Sequence, residues 1–180
     1  MVTASKKTAK PKKKAGSAKQ VATAYFDAIK ARDVEAMAAC WKPGSLGYLY
    51  GMATLRVPED LKRWFGGLFR AFPDFVMEAT DMVAYGDKAA VRWHATGTFA
   101  GPGKFEGLNP TGATVELEGL DLLTISDGEI VDNRAYTNAT EMARQMGAMP
   151  AAGSVGEKAM LGAVNARTAA AGALQRLRDR

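Results

Sequence analysis

A chain of 180 residues, 47% of them hydrophobic, carries enough apolar surface for one good core and is neither fibrous nor disordered in overall composition. One cysteine, Cys40, and one histidine, His94, exclude an intramolecular disulfide and a cysteine-rich zinc site. The net charge of +5 belongs to the ends: residues 1–20 hold seven lysines and no acid, residues 151–180 five basic and two acidic side chains, and residues 21–150 hold 12 basic and 17 acidic ones, which argues against a dedicated nucleic-acid-binding domain.

The opening stretch, MVTASKKTAKPKKKAG, has too little apolar surface to offset the entropy of ordering it, so residues 1–16 are expected to form a disordered lysine-rich arm. Such an arm solubilises and permits weak, non-specific polyanion contact. No apolar run is long enough to cross a bilayer and no secretory pattern opens the chain, so there is no membrane insertion and the expected address is cytoplasmic.

Ser17-Ala-Lys-Gln20 is a capping box and predicts a helix carrying Val21, Tyr25, Ala28 and Ile29 on one face. Asp33 caps a second, shorter helix with Val34, Met37 and Trp41 inward, ended by Pro43-Gly44; Cys40 reads there as a small core hydrophobe. Residues 45–51 read as a short strand. Pro58-Glu59-Asp60 opens a further helix whose apolar face is Leu61, Trp64, Phe65, Leu68, Phe69 and Phe72. From Phe75 the period changes from about 3.6 to 2. Residues 75–84, 88–99, 113–126 and 129–137 read as strands of a meander, joined at Tyr85-Gly86-Asp87, across the Gly/Pro-rich 100–112, and at Ser126-Asp127-Gly128. Asn138 caps a short helix, and a helix from about residue 155 has a thin apolar face, Leu161, Val164, Leu174 and Leu177, expected to be exposed or packed on a partner. Segregated helices and strands of this kind predict an α+β fold, with helices against one face of a curved antiparallel sheet.

Three segments, FPDFVMEATDMVAYGDKAAVRWHATGTFAG, GLNPTGATVELEGLDLLTISDGEIVDN and EMARQMG, resemble the SnoaL-like polyketide cyclase family of the NTF2-like superfamily over about residues 18–148. The resemblance implies a cone-shaped barrel, its sheet wrapped around N-terminal helices, with a deep apolar pocket. It also implies a homodimer formed through the outer sheet face. The domain is expected at 17–148, with an Ala/Gly-rich, helical C-terminal extension at 149–180. The fold hosts ester cyclases, isomerases, hydrolases and non-catalytic modules, so chemistry must be argued from the site.

Alternation places Arg92, His94, Thr96 and Thr98 on one strand face, Gly119, Asp121, Leu123 and Ile125 on one face of the next, and Val131, Asn133, Ala135 and Thr137 on one face of the last. Related epoxide hydrolases carry an arginine and an aspartate where this chain has Arg92 and His94, and the family's last-strand acid falls here at Ala135, which cannot move a proton. The expected catalytic group is therefore His94 with Asp121 for proton transfer, and Arg92 for a developing oxyanion. Tyr48, Tyr50, Asn133, Trp64 and Phe99 are the expected substrate-binding side chains. The simpler alternatives are a hydrogen-bonded structural histidine, and an Asp121 that merely pairs with Arg92 in the core.

On this reading the chain is a small-molecule enzyme, a cyclase, isomerase or hydrolase. It would use cofactor-free acid/base chemistry, with no metal, on a hydrophobic carbonyl substrate of polyketide or steroid type. The alternative is a non-catalytic module for a lipophilic ligand or a protein partner, which has lost the acid at Ala135.

Overall fold

The computed structural model describes residues 16–178; all but the last residue of the lysine-rich arm lies outside them. The helices are α1 (Ala18–Lys30), α2 (Val34–Ala39), α3 (Glu59–Ala71), α4 (Ala139–Gln145) and α5 (Val155–Arg178). The strands are β1 (Trp41–Leu49), β2 (Ala53–Arg56), β3 (Val76–Tyr85), β4 (Lys88–Thr98), β5 (Thr114–Ser126) and β6 (Glu129–Thr137).

Local chemistry sets the boundaries. At α1 the backbone N–H of Gln20 donates to Ser17 Oγ at 3.3 Å while the Ser17 N–H donates to Gln20 Oε1 at 2.9 Å, so the predicted capping box is complete. Asp33 Oδ1 accepts from the N–H groups of Glu35 and Ala36 at the start of α2, and Asn138 Oδ1 from that of Glu141 at the start of α4. Between β5 and β6, Asp127 (φ 53°) and Gly128 (φ 79°) both take left-handed backbone, the two-residue turn that suits the twist of a hairpin.

The strands form one six-stranded sheet in the order β2-β1-β6-β5-β4-β3. β1 is antiparallel to β2 and parallel to β6, so the sheet is mixed rather than wholly antiparallel; β5 and β6 are antiparallel. The strand expected at 45–51 starts earlier, because Trp41 is the first residue of β1 and not part of α2, and β2 is an additional short strand.

The chain divides into two compact units. The first takes in the described residues up to Gly66, Met77–His94 and Gly119–Thr137. Its core gathers Val21, Ala22, Tyr25 and Ile29 of α1 with Met37, Trp41, Val91, Trp93, Leu123 and Ile130, and it includes two buried polar side chains, Asp121 and Asn133. The second unit takes in Gly67–Val76, Ala95–Glu118 and the described residues from Asn138 on. Its core is apolar: Phe72 stacks on Phe99 with centroids 5.1 Å apart and meets Phe105 edge-on at 5.7 Å. Gly101 is required there, because a Cβ would stand 1.7 Å from the carbonyl oxygen of Arg70. A cavity of about 20 Å³, lined by Leu68, Phe72, Phe75, Val115, Leu117 and Met142 among others, is too small for anything beyond a water-sized guest.

Candidate active site around Asp121

Gly119 opens the site. A Cβ there would lie 2.1 Å from a ring carbon of Trp93, so glycine leaves the slot into which the indole of Trp93 fits beside β5. In that position Trp93 Nε1–H donates to Asp121 Oδ1 at 2.8 Å, and from β6 Asn133 Nδ2 donates to Asp121 Oδ2 at 2.6 Å. The β5–β6 register sets Asp121 opposite Ala135 and Leu123 opposite Asn133, which makes Asn133 the diagonal neighbour of Asp121 on the same face. All three side chains are buried.

Burial raises the proton affinity of the Asp121 carboxyl; the bonds from Asn133 and Trp93 act against this, and the net shift is upward. Tyr25 belongs to the same cluster. Its phenol is held far above the ordinary tyrosine value by burial first and by the negative charge of Asp121 second, so it remains a neutral hydroxyl. Trp41 meets the Tyr25 ring edge-on, with centroids 5.8 Å apart. The arrangement is a carboxyl fixed by two donors in a low-dielectric face, with two aromatic side chains carrying polar atoms beside it. Such a carboxyl binds a proton more readily than one on the surface and is chemically suited to accept and return it.

Asp121 and Asn133 are the predicted site residues that the fold brings together. Arg92 and His94 are not with them. The buried members of β4 are Ala89, Val91, Trp93, Ala95 and Gly97, whereas Arg92 is exposed and His94 half-buried, so the pleat sets both on the strand face opposite to the one that meets Asp121. The reason is energetic: the Val91, Trp93 and Ala95 set enters the core without cost, and a guanidinium does not. The partners of Asp121 are accordingly Trp93 and Asn133 rather than Arg92.

Tyr48 and Tyr50 also face away from Asp121, since Gly47 and Leu49 are the buried residues of that part of β1. They form an exposed cluster with β6: Tyr48 and Tyr50 stack at 6.4 Å, Tyr50 and Tyr136 lie 4.7 Å apart, and the Arg134 guanidinium sits 5.6 Å from the Tyr48 ring centre. Trp64 is half-buried and edge-on to Phe65. Phe99 is fully buried in the phenylalanine core of the second unit.

Sequence reading does not name Trp93, Trp41 or Tyr25 as site residues: Tyr25 and Trp41 are placed on inward helix faces, and Trp93 falls on the β4 face opposite to Arg92 and His94. Gly119 was the available signal, because a glycine inside a strand marks the close approach of a neighbour. Among the described residues no three His, Cys, Asp or Glu side chains gather closely enough to hold a metal ion. No described helix is long and apolar enough to cross a membrane.

Comparison with solved structures identifies the fold. AclR, a candidate hydroxylase from Streptomyces galilaeus, is 23% identical and superposes with a TM-score of 0.64, over 91% of this chain and 97% of its own. A candidate SnoaL-like polyketide cyclase from Jannaschia sp. CCS1 is 21% identical with a TM-score of 0.65, over 81% of this chain and 100% of its own. IdmH, a candidate polyketide cyclase from Streptomyces antibioticus, is 26% identical with a TM-score of 0.58, over 73% and 99%. A protein of ketosteroid isomerase-like fold from Catenulispora acidiphila superposes with a TM-score of 0.60 at 16% identity, over 71% and 92%. The α+β architecture is thus NTF2-like. Among curated proteins none matches. The model of SnoaL-like polyketide cyclases matches residues 19–146, the stretch that contains both the sheet and the Asp121 cluster, and the chain belongs to that family.

Proposed function

We propose that the protein is a small-molecule enzyme that moves a proton to and from carbon beside a carbonyl group, on a hydrophobic substrate of polyketide or steroid type, with Asp121 as the base and its conjugate acid. The observation that carries this reading is the Asp121 carboxyl itself, buried, held by Trp93 and Asn133, and shifted upward in proton affinity. Ala135, where the family resemblance places an acid, is the direct cross-strand partner of Asp121. A carboxyl on β5 therefore stands next to the position an acid on β6 would occupy, which supports transfer of the role by one strand rather than its loss. Asn133 and Trp93 orient the carboxyl; Tyr25 is a neutral donor nearby. Arg92 and His94 have no part in this mechanism.

The test is incorporation of deuterium at the activated carbon of 2-tetralone in heavy water, followed by NMR. Wild-type protein should accelerate exchange above the buffer rate, and Asp121→Asn should return it to that rate. Exchange unaffected by Asp121→Asn would overturn the assignment. The second reading, a non-catalytic module for a lipophilic ligand, is favoured by the alanine at 135; binding of 2-tetralone without any exchange would establish it in place of the first.

The same reading includes a homodimer. Leu120 and Leu122 on β5 stand in register with Tyr136 and Arg134 on β6, and with Tyr50 they leave an apolar and aromatic sheet face in solvent. A second copy covering this face predicts a dimer in sedimentation velocity at micromolar concentration, converted to monomer by Leu120→Glu with Tyr136→Arg. A wild-type monomer would remove this part of the proposal.

A further inference from the structure

The cavity of about 20 Å³ in the second unit has a wholly apolar wall, so a water molecule there would find no hydrogen-bond partner and the space stays dry. One of its lining residues differs in kind from the rest. Leu68, Val115 and Leu117 stand on α3 and β5, whereas Met142 comes from α4, a helix of seven residues, and reaches the cavity with an unbranched, rotatable chain.

α4 is tied to β5 by a side chain and not by a strand ladder. The β5–β6 ladder runs from Gly119 opposite Thr137 to Ser126 opposite Glu129, so Glu116 lies beyond its end. There the Gln145 amide stands in for a neighbouring strand: the Glu116 N–H donates to Gln145 Oε1 at 2.8 Å, and Gln145 Nε2 donates to the Glu116 carbonyl at 3.2 Å. Gln145 follows Met142 by three residues, one turn along the same side of the helix. The latch and the methionine over the cavity therefore move as one piece. Glu116 is exposed, so water replaces both bonds when this turn lifts, and the net cost of that exchange is modest. The bonds of Arg144 run to Pro150 and Glu157, on the chain that follows, and travel with the helix.

We propose that α4 is a lid, and that the cavity is the closed form of a binding site for a small apolar ring compound, entered when Gln145 leaves Glu116 and Met142 swings out. The space of the departing thioether chain is then added to the cavity, and the ligand meets the rings of Phe72 and Phe75. With no polar atom in the wall, the site discriminates against hydroxylated rings, whose O–H would be buried unpaired. This goes beyond the reading of Asp121, which concerns the other unit, and does not depend on it.

The experiment titrates toluene, and phenol as its polar counterpart of the same shape, into the full chain labelled with ¹³C-methyl methionine. The resonance that vanishes in Met142→Ala is that of Met142. Toluene should shift it saturably and bind about tenfold more tightly than phenol. Gln145→Leu should tighten toluene binding about tenfold, because apparent affinity scales with the open fraction and the latch consists of two hydrogen bonds. In a Met142→Ala background the same substitution should change affinity by less than about twofold, since the side chain that the latch holds in place is gone. Hydrogen exchange of the Glu116 amide reads the latch in the wild-type chain, and bound toluene should speed it about tenfold.

No saturable shift at any soluble concentration of toluene, equal affinity for phenol, unchanged affinity in Gln145→Leu, or an undiminished latch effect without Met142 would each overturn the proposal. Unchanged or slower exchange of the Glu116 amide with toluene bound would do the same, because the ligand would then sit under a helix that stays shut. The exchange measurement needs no variant, so it decides the matter even if Met142→Ala fails to fold.

Discussion

The two units of this chain solve the problem of a core in opposite ways. The second packs Phe72, Phe99 and Phe105 ring on ring, with a cavity of about 20 Å³ as its packing defect. The first places a carboxylic acid, an amide and two indoles among its apolar side chains and holds the acid with two hydrogen bonds. Dispersion and water exclusion explain the one in full. They do not explain the other, where a buried carboxyl has to be held by hydrogen bonds from Trp93 and Asn133 to offset its desolvation.

The contrast is most sharply exposed by truncation in the aromatic core. Phe72 is 1% exposed and carries two ring contacts, so Phe72→Ala should lower the unfolding free energy by about 3–5 kcal/mol, read from urea or guanidinium denaturation. A loss below about 1 kcal/mol would show that this core collapses around the gap and is not the tight unit described. Gly119→Ala attacks the other region by overfilling it. The new methyl group stands where the Trp93 ring lies, and the expected cost is about 1–3 kcal/mol. The Trp93 indole resonance should also move, because the ring cannot keep its bond to Asp121 while making room. A stable variant with that resonance unchanged would contradict the slot.

The sequence reveals the elements better than the faces. Caps at Ser17, Asp33 and Asn138 and the change of period at Phe75 are local signals, and each sits where the structure has a boundary. The strands expected at 88–99, 113–126 and 129–137 differ from the observed ones by a residue or less at each end. Alternation tells which residues share a face, and Asp121 and Asn133 were found that way. It does not tell which face is inward when both are mixed. On β4 the set Arg92, His94, Thr96, Thr98 has polar members that suggest chemistry, and the set Val91, Trp93, Ala95 looks like filler, yet it is the filler that reaches the acid. The β1–β6 parallel pairing was illegible for another reason: it joins segments about ninety residues apart, and no local pattern encodes it.

A smaller effect, of opposite sign, comes from Asp121 itself. Its folded proton affinity is raised above that of the unfolded chain, so the native state holds the proton over a range of pH where the unfolded state has released it. Stability from this group therefore declines as pH rises from the ordinary carboxylate range through the raised folded value, and is level beyond it. Asp121→Asn removes that decline. The asparagine can accept from Trp93, and the Asn133 amide can turn its unpaired oxygen to receive the new NH₂. The variant should melt at or above the wild-type temperature at neutral pH, with the advantage shrinking as the solution is acidified. Groups shifted the other way, Asp60, Glu78 and Glu157, lose stability as pH falls, but they are common to both proteins and cancel in the difference. A variant less stable at neutral pH, with the difference shrinking on acidification, would mean that the charged carboxylate is structural after all.

The smallest effect is expected where the chain is longest in helix. α5 has 24 residues, against 13 in each of α1 and α3, yet none of them is buried, and Leu161, Val164, Leu174 and Leu177 are all more than half exposed. Its firm attachment is at its first turn. There Glu157 accepts from Arg144 Nη2 at 2.7 Å and from the Gly153 N–H at 2.6 Å, and Ser154 Oγ accepts from the Glu157 N–H at 3.1 Å. Beyond that turn the helix rests on its alanine-rich propensity, which sustains a helix of this length without tertiary support. A chain ending after Lys158 keeps the attachment and loses the rest, so circular dichroism should show a large loss of helical signal with no measurable change in the denaturation midpoint. If the midpoint falls as well, the exposed leucines are packed in solution, and comparing the drop at low and high protein concentration separates a contact within the chain from one between copies, since the contact between copies alone depends on concentration.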